Sequence, residues 1–130
     1  ATDEQLSEVE AIYKTLRDTL IIEERLMKAA TVLGASGIAF FLRFIRAATQ
    51  GGIELGFDAD EAQLIARQTA RGAASLLIAE DAHPETEIDK VTTPQGCTIA
   101  GLNEMEHQGL SSALIKGIKS SFERINSITK

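Results

Sequence analysis

The sequence has no tryptophan, one cysteine, two prolines and two histidines. A single cysteine excludes an intrachain disulfide and is typical of a reducing compartment, which predicts a cytoplasmic location. The histidines, His83 and His107, have no partners at the spacing of metal ligands, so we expect no metal site. Aromatic residues make up only 5 % of the chain. Any hydrophobic core must therefore be built from aliphatic side chains.

Positive charge is also scarce, and this narrows the range of partners. Thirteen basic residues stand against nineteen acidic ones, giving a net charge of -6. This balance argues against binding to nucleic acid or to an anionic membrane surface. No uninterrupted apolar run reaches the length of a membrane span, and residues 1–4 have no signal-peptide character. We expect neither nucleic acid nor a membrane among the partners.

What is present is a set of helical patterns. The chain of 130 residues is 44 % hydrophobic, chiefly alanine, leucine and isoleucine, which favour helices over sheets. An interruption is expected at residues 34–37, where two glycines flank an alanine and a serine. The sequence therefore predicts an all-α multi-helix bundle. The predicted helices cover residues 4–17, 24–33, 38–55, 58–80, 84–91, 98–108 and 111–128.

One short segment departs from the helical pattern. Residues 19–23 are rich in β-branched and apolar residues and predict a strand. An isolated strand would have unsatisfied edges, so its partner strands must lie elsewhere. We interpret the chain as cut from a larger protein, with the strand belonging to a sheet on the N-terminal side.

The predicted helix 38–55 is apolar nearly all round its circumference. Such a helix is usually buried on several sides, which in so small a chain indicates a partner subunit. Arg43 and Arg46 are exceptions on this helix. Either their stems pack and their charged ends reach solvent or nearby acids, or they form ion pairs across a subunit interface.

The segment most suggestive of chemistry is residues 91–102. Pro94 fixes a turn, Gly96 allows close approach, and the following residues begin a helix. The free N–H groups and the dipole at a helix N-terminus favour an anion, so a small carboxylate or phosphate could bind there, flanked by Thr93 and Thr98. The alternative is a plain capped helix in which a threonine satisfies the backbone. Cys97 is either a reactive thiol or a small packing residue.

Two motifs give this chain a resemblance to a known family. Residues 91–99 read Val-Thr-Thr-Pro-Gln-Gly-Cys-Thr-Ile and resemble the pyrroline-5-carboxylate reductase signature Val-Thr-Ser-Pro-Gly-Gly-Thr-Thr-Ile. Residues 34–40 read Gly-Ala-Ser-Gly-Ile-Ala-Phe and are similar to the family's Ser-Gly-Ser-Gly-Pro-Ala-Tyr. The separation of the motifs also fits, and the resemblance spans about residues 24 to 128. Gln95 and Cys97 depart from the pattern, replacing a glycine and a threonine.

The resemblance implies a fold and an activity. The family reduces the C=N bond of 1-pyrroline-5-carboxylate to L-proline with NADPH or NADH. Its helical domains interlock into homodimers, and in some cases into higher oligomers. Residues 1–23 would then end a cofactor-binding domain, and residues 24–130 would form the dimerisation and substrate-binding domain. The Gly-x-Gly-x-x-Gly loop of a dinucleotide-binding domain is absent from the sequence.

The resemblance also implies site residues. The candidates for holding the substrate are Thr93, Gly96, Cys97 and Thr98, with the backbone N–H groups of the last three directed at its carboxylate. Thr98 is in addition the candidate catalytic residue, polarising the ring nitrogen through its hydroxyl. Two other functions stay open: a helical dimerisation module without catalysis, and the helical domain of another dehydrogenase with the same two-domain plan.

Overall fold

A computed structural model describes residues 22–128, and all regular secondary structure in that range is helical. The predicted helix over residues 4–17 and most of the predicted strand over 19–23 lie outside the described residues. Ile22 and Glu23, the last residues of that strand, have irregular backbone. A short 3-10 helix, Glu24–Leu26, and a π-helical turn, Val32–Ser36, precede the first long helix. The α-helices are α1 (Met27–Thr31), α2 (Gly37–Leu55), α3 (Ala59–Glu80), α4 (Pro84–Val91), α5 (Cys97–His107) and α6 (Leu110–Ile128).

The glycine-rich segment at residues 34–37 does not interrupt the chain's helical path, so that prediction was wrong. The backbone passes from α1 through Val32–Ser36 into α2 without leaving helical geometry. A π-helical turn absorbs the segment by winding the backbone more widely. Small residues tolerate this local change, and Gly37 is buried at its end.

One helical stretch of the described residues has the length and average composition of a membrane span, although it contains no uninterrupted apolar run of that length. Glu24–Leu55 is 32 residues of continuous helix, long and apolar enough to cross a membrane by length and composition alone. Charged residues interrupt this stretch, but they are too few to lower the mean hydropathy of its most apolar segment. Length and composition do not distinguish a membrane span from a helix that is covered by protein.

The described residues divide into two units: 22–42 together with 111–128, and Arg43–Leu110. Very little of the described part of either unit is buried. Among the described residues, the buried hydrophobic side chains are Val32, at 1 % exposure, and Ala62, at 3 %. Thr31 and Thr49 are buried too, and each hydroxyl donates to the carbonyl four residues earlier, at 3.0 Å and 2.8 Å. Buried polar groups are thus satisfied within their own helices.

Helices α2 and α3 meet at a single close contact in the second unit. A Cβ atom placed on Gly52 would lie 3.0 Å from the Cβ of Ala62. The chain reverses direction between them through Gly56, which has a φ of 120°, and the N–H of Phe57 donates to the carbonyl of Gly52 at 3.1 Å. Gly52 is therefore required by its proximity to Ala62, and this proximity sets the start of α3 against the end of α2.

The predicted capping box of α3 is confirmed, and it makes stability depend on pH. The N–H of Glu61 donates to Asp58 Oδ1 at 2.8 Å, and the Asp58 N–H donates to Glu61 Oε1 at 3.4 Å. The backbone N–H of Glu61 lowers the pKa of Asp58, with help from the Glu61 side chain. A carboxylate whose folded pKa is lowered stabilises the fold above its ordinary pKa of about 3.9, and this contribution is lost as the pH falls through the lower folded value.

We therefore expect the melting temperature to fall below pH 4 partly because Asp58 becomes protonated. Asn caps helices as well as Asp but does not titrate. Asp58→Asn should keep the neutral-pH melting temperature and show a shallower loss in acid, measured by circular dichroism from pH 2 to 7. Asp58→Ala should be less stable at neutral pH. Equal acid slopes in the native protein and Asp58→Asn would contradict the assignment.

The connections that follow place α4 and α5. Asp81 ends α3 in the left-handed region, with a φ of 47°. His83 Nδ1 accepts the N–H of Glu85 at 3.1 Å, and Pro84 opens α4, as the sequence predicts. Gly109, with a φ of 89°, confirms the predicted C′ position after α5. The candidate site is the connection between α4 and α5.

Candidate functional site

A tight turn over residues 93–96 joins α4 to α5. The Gly96 N–H donates to the carbonyl of Thr93 at 3.0 Å, and Gln95 has a φ of 60°. Proline at the second position and a positive φ at the third are typical of a type II β-turn. The third position of that turn favours glycine, because a side chain there crowds the backbone. Gln95 thus occupies the position at which the resembled signature has a glycine.

Gly96 is needed for space. Its φ of -78° and ψ of 169° are open to any residue. A Cβ atom at this position, however, would collide with Thr93 Oγ1 and lie 3.1 Å from the Thr93 carbonyl oxygen. The Thr93 side chain therefore lies directly against the Gly96 backbone. This contact fixes the backbone position at which the turn ends and α5 begins.

The start of α5 carries no side-chain cap. Gly96 is the N-cap residue, and no side chain accepts a hydrogen bond there. The capped-helix alternative required Thr93 or Thr98 to satisfy this backbone, and neither does. The first-turn N–H groups, including those of Cys97 and Thr98, face outward with the positive end of the helix dipole. They are free to hold a carboxylate or phosphate group.

The four predicted site residues lie together on this one turn. Thr93, Cys97 and Thr98 are exposed and Gly96 is half-buried. Thr92 has a different role, since its hydroxyl donates to the carbonyls of Ile88 and Asp89 at 3.1 Å and 3.3 Å and closes α4. The exposed thiol of Cys97 does not pack in a core. Sequence reasoning missed the strained backbone of Gln95, although the family glycine at that position was a signal for it.

The electrostatics of the turn are those of the backbone. Among residues 22–128, Arg25 pairs with Glu23 and Lys90 pairs with Glu87, and neither ion pair involves the turn. Within the same range, no three His, Cys, Asp or Glu side chains come together in a way that could hold a metal ion. The turn can supply directed N–H donors and two hydroxyls, which suits binding and polarising an anionic substrate more than nucleophilic attack.

Comparison with known proteins gives consistent relatives. The family model described as pyrroline-5-carboxylate reductase dimerisation matches residues 24–128. The chain is 56 % identical over 128 residues to "Pyrroline-5-carboxylate reductase 1" of Dictyostelium discoideum, covering 98 % of this chain and 23 % of that protein. It is 52 % identical to "Pyrroline-5-carboxylate reductase 2" of the same organism, covering 95 % of this chain and 42 % of that protein. The chain thus spans less than half the length of these curated relatives.

Solved structures agree on the fold. The 1-pyrroline-5-carboxylate reductase of Streptococcus pyogenes superposes with a TM-score of 0.82 at 29 % identity, over 98 % of this chain and 49 % of that one. The pyrroline carboxylate reductase of Plasmodium falciparum with NADP bound gives a TM-score of 0.80 at 21 % identity, over 84 % and 43 % of the two chains, and supports the fold alone. With most of its length matched by the family model, the chain belongs to the pyrroline-5-carboxylate reductase dimerisation family.

Proposed function

We propose that this chain is the dimerisation and substrate-binding part of a pyrroline-5-carboxylate reductase, located in the cytoplasm. The enzyme reduces the C=N bond of 1-pyrroline-5-carboxylate to give L-proline. Family membership and the names of the curated relatives support the proposal. The start of the family match at residue 24 supports a domain boundary between residues 23 and 24, with the end of a cofactor-binding domain before it.

The observation that carries the dimerisation proposal is the amount of surface left open. Twenty large hydrophobic side chains among the described residues are exposed, Leu55 at 85 %. So many exposed apolar side chains mark an interaction surface. Coverage by a second copy of the chain accounts for the apolar surface of Glu24–Leu55 without a membrane.

Glycines inside the helices support the same conclusion. A Cβ atom added to Gly51, Gly72, Gly101 or Gly117 would meet nothing within 4 Å. Each glycine costs its helix up to about 1 kcal/mol relative to alanine. Among residues 22–128, no neighbouring atoms pack against these glycines to offset the lost helix stability. Close approach of a neighbouring subunit would offset it. We propose a homodimer as the basic unit, with assembly into higher oligomers open to measurement by light scattering.

The turn before α5 is proposed to hold the substrate. The N–H groups of Gly96, Cys97 and Thr98 are the candidates for the carboxylate, assisted by the Thr93 hydroxyl. Gly96 also donates within the turn at 3.0 Å, so Cys97 and Thr98 offer the stronger donors. The Thr98 hydroxyl is the candidate for a hydrogen bond to the ring nitrogen. A threonine is a weak acid, so Thr98 polarises the imine and relays a proton that originates from water.

The cofactor is proposed to be NADP or NAD. The sequence has no Gly-x-Gly-x-x-Gly loop, so no residue of this chain is assigned to the cofactor. Bound elsewhere in the enzyme, the nicotinamide supplies the hydride that adds to the imine carbon. This chain's part is to hold the carboxylate, orient the ring and polarise its nitrogen.

We expect Thr98→Ala to lower the kcat of the full-length enzyme about 10- to 100-fold, because the substitution removes a donor to the reacting nitrogen. The KM should change little, because the backbone donors to the carboxylate remain. The measurement is nicotinamide oxidation with 1-pyrroline-5-carboxylate, with circular dichroism to check the fold.

Thr98→Ser is the matched control, since it keeps the hydroxyl, and it should retain most of the turnover. Unchanged kcat in Thr98→Ala would keep the enzyme and remove the proposed role of Thr98. A native protein that forms dimers but shows no turnover with either cofactor would favour the dimerisation module without catalysis.

A further inference from the structure

Helix α2 carries two charged side chains, Arg43 and Glu54, that have no partner among the described residues. Within residues 22–128, neither Arg43 nor Glu54 takes part in an ion pair or a side-chain hydrogen bond. Both are exposed, and they lie eleven residues apart, close to three full helical turns. They therefore stand on the same side of α2, separated by about 16 Å along its axis. That distance is too great for them to pair within one helix.

The residues between these charges are small or incompletely covered. Ala47 and Gly51 follow Phe44 at the i, i+3 and i+7 spacing of one helix face, next to the line that joins Arg43 and Glu54. Phe44 is 51 % exposed, and an added Cβ on Gly51 would meet nothing within 4 Å. The neighbouring Gly52 must be a glycine because an added Cβ would lie 3.0 Å from the Cβ of Ala62. No neighbour among residues 22–128 requires a glycine at position 51 in the same way.

We propose that α2 pairs antiparallel with α2 of a second copy, around a two-fold axis level with residues 47 and 48. This inference rests on the proposed dimerisation and names its central contact. An antiparallel pair about that point leaves each Arg43 about 3 Å along the helix axis from the Glu54 of the other copy, a step that the two long side chains span, which gives two reciprocal ion pairs. The same register sets Phe44 over the space at Gly51 of the other copy and lets the two Ala47 residues approach each other. Charge, shape and symmetry thus agree on one register.

The opposite charges also decide the direction of the pairing. A parallel arrangement in register would place Arg43 beside Arg43 and Glu54 beside Glu54, and like charges in contact are destabilising. The apolar seam between the charges excludes water and strengthens the ion pairs at its ends. Arg46 lies about 60° round α2 from Arg43, on the flank that faces away from Phe44, Ala47 and Gly51, and is not part of the contact.

The test is charge reversal in the complete natural protein, with the dimer dissociation constant measured by sedimentation equilibrium. Arg43→Glu and Glu54→Arg should each weaken the dimer about tenfold or more, because each creates two like-charge contacts. The double variant restores the pairs with exchanged signs and should return to within a few-fold of the native constant. Arg46→Glu, the same charge change three residues away, is the matched control and should have little effect. A native-like dimer in both single variants, or no recovery in the double variant, would overturn the pairing.

A covalent probe keeps the proposal testable if a reversed variant fails to fold. Ala47→Cys in a Cys97→Ser background should form a disulfide-linked dimer under mild oxidation, and Arg46→Cys in that background should not. A dimer by light scattering that does not cross-link through Ala47→Cys would overturn the α2 contact while leaving dimerisation intact. A native protein that is monomeric at micromolar concentration would overturn dimerisation itself.

Discussion

Gly96→Ala is expected to lower kcat/KM of the full-length reductase at least about 100-fold. The added methyl group would collide with Thr93 Oγ1 and stand 3.1 Å from the Thr93 carbonyl oxygen, so the Thr93 side chain must rotate away and the turn must widen. Opening the turn displaces the N–H groups at the start of α5 from the substrate carboxylate. A misplacement of about 1 Å in a positioning group is enough for a loss of this size. Steady-state kinetics with 1-pyrroline-5-carboxylate measures it.

Gln95→Gly is the matched control for Gly96→Ala, since it changes the neighbouring residue of the same turn in the opposite sense. It relieves a positive φ of 60°, and so should preserve activity and leave stability unchanged or improve it by up to about 1 kcal/mol. If Gly96→Ala were as active as Gln95→Gly, the turn would not position the substrate, and the family resemblance at this segment would concern folding alone.

Gly52→Val is expected to lower the free energy of unfolding by about 2–3 kcal/mol. Its Cβ would stand 3.0 Å from the Cβ of Ala62 and its methyl groups would overlap α3 further, forcing α2 and α3 apart. The hydrogen bond from the Phe57 N–H to the Gly52 carbonyl lies in the same joint and would be strained. Chemical denaturation at one fixed protein concentration measures the change, because association contributes to the stability.

Removing the contacted atom distinguishes this steric effect from a general effect of valine. In an Ala62→Gly background, the atom at 3.0 Å is absent, and Gly52→Ala should be stabilising through its better helix propensity. In the native background, the same Gly52→Ala substitution must push Ala62 away and should gain less or lose stability. Identical effects in both backgrounds would mean that α2 and α3 do not depend on this contact.

Much of the fold follows from local signals in the sequence. Asp58 with Glu61, Pro84 and Gly109 each act through their own backbone neighbourhood, and each was placed correctly at a helix end. The segment around Gly34 and Gly37 was not, because glycine weakens a helix without dictating what replaces it. Whether such a segment breaks or widens into a π-helical turn depends on what packs against it, and periodicity carries no information about that.

The candidate site was less accessible to sequence reasoning. Pro94 and Gly96 indicate a turn, but the same residues are compatible with both a capped and an uncapped helix N-terminus. Only the geometry reveals that neither Thr93 nor Thr98 caps α5, and that Gln95 adopts a conformation usually reserved for glycine. Side-chain choices of this kind depend on angles that residue type alone leaves open. The roles of Thr93, Gly96, Cys97 and Thr98 toward a substrate stay predictions.

Among the described residues, the buried apolar side chains are Val32 and Ala62. With so small a core, the stability of the fold depends on association and therefore on protein concentration. Folding and association then become one event, and each tenfold dilution removes about 1.4 kcal/mol from the stability of the dimer. A newly synthesised copy carries its apolar side chains exposed until it finds another, which makes it a natural client for chaperones.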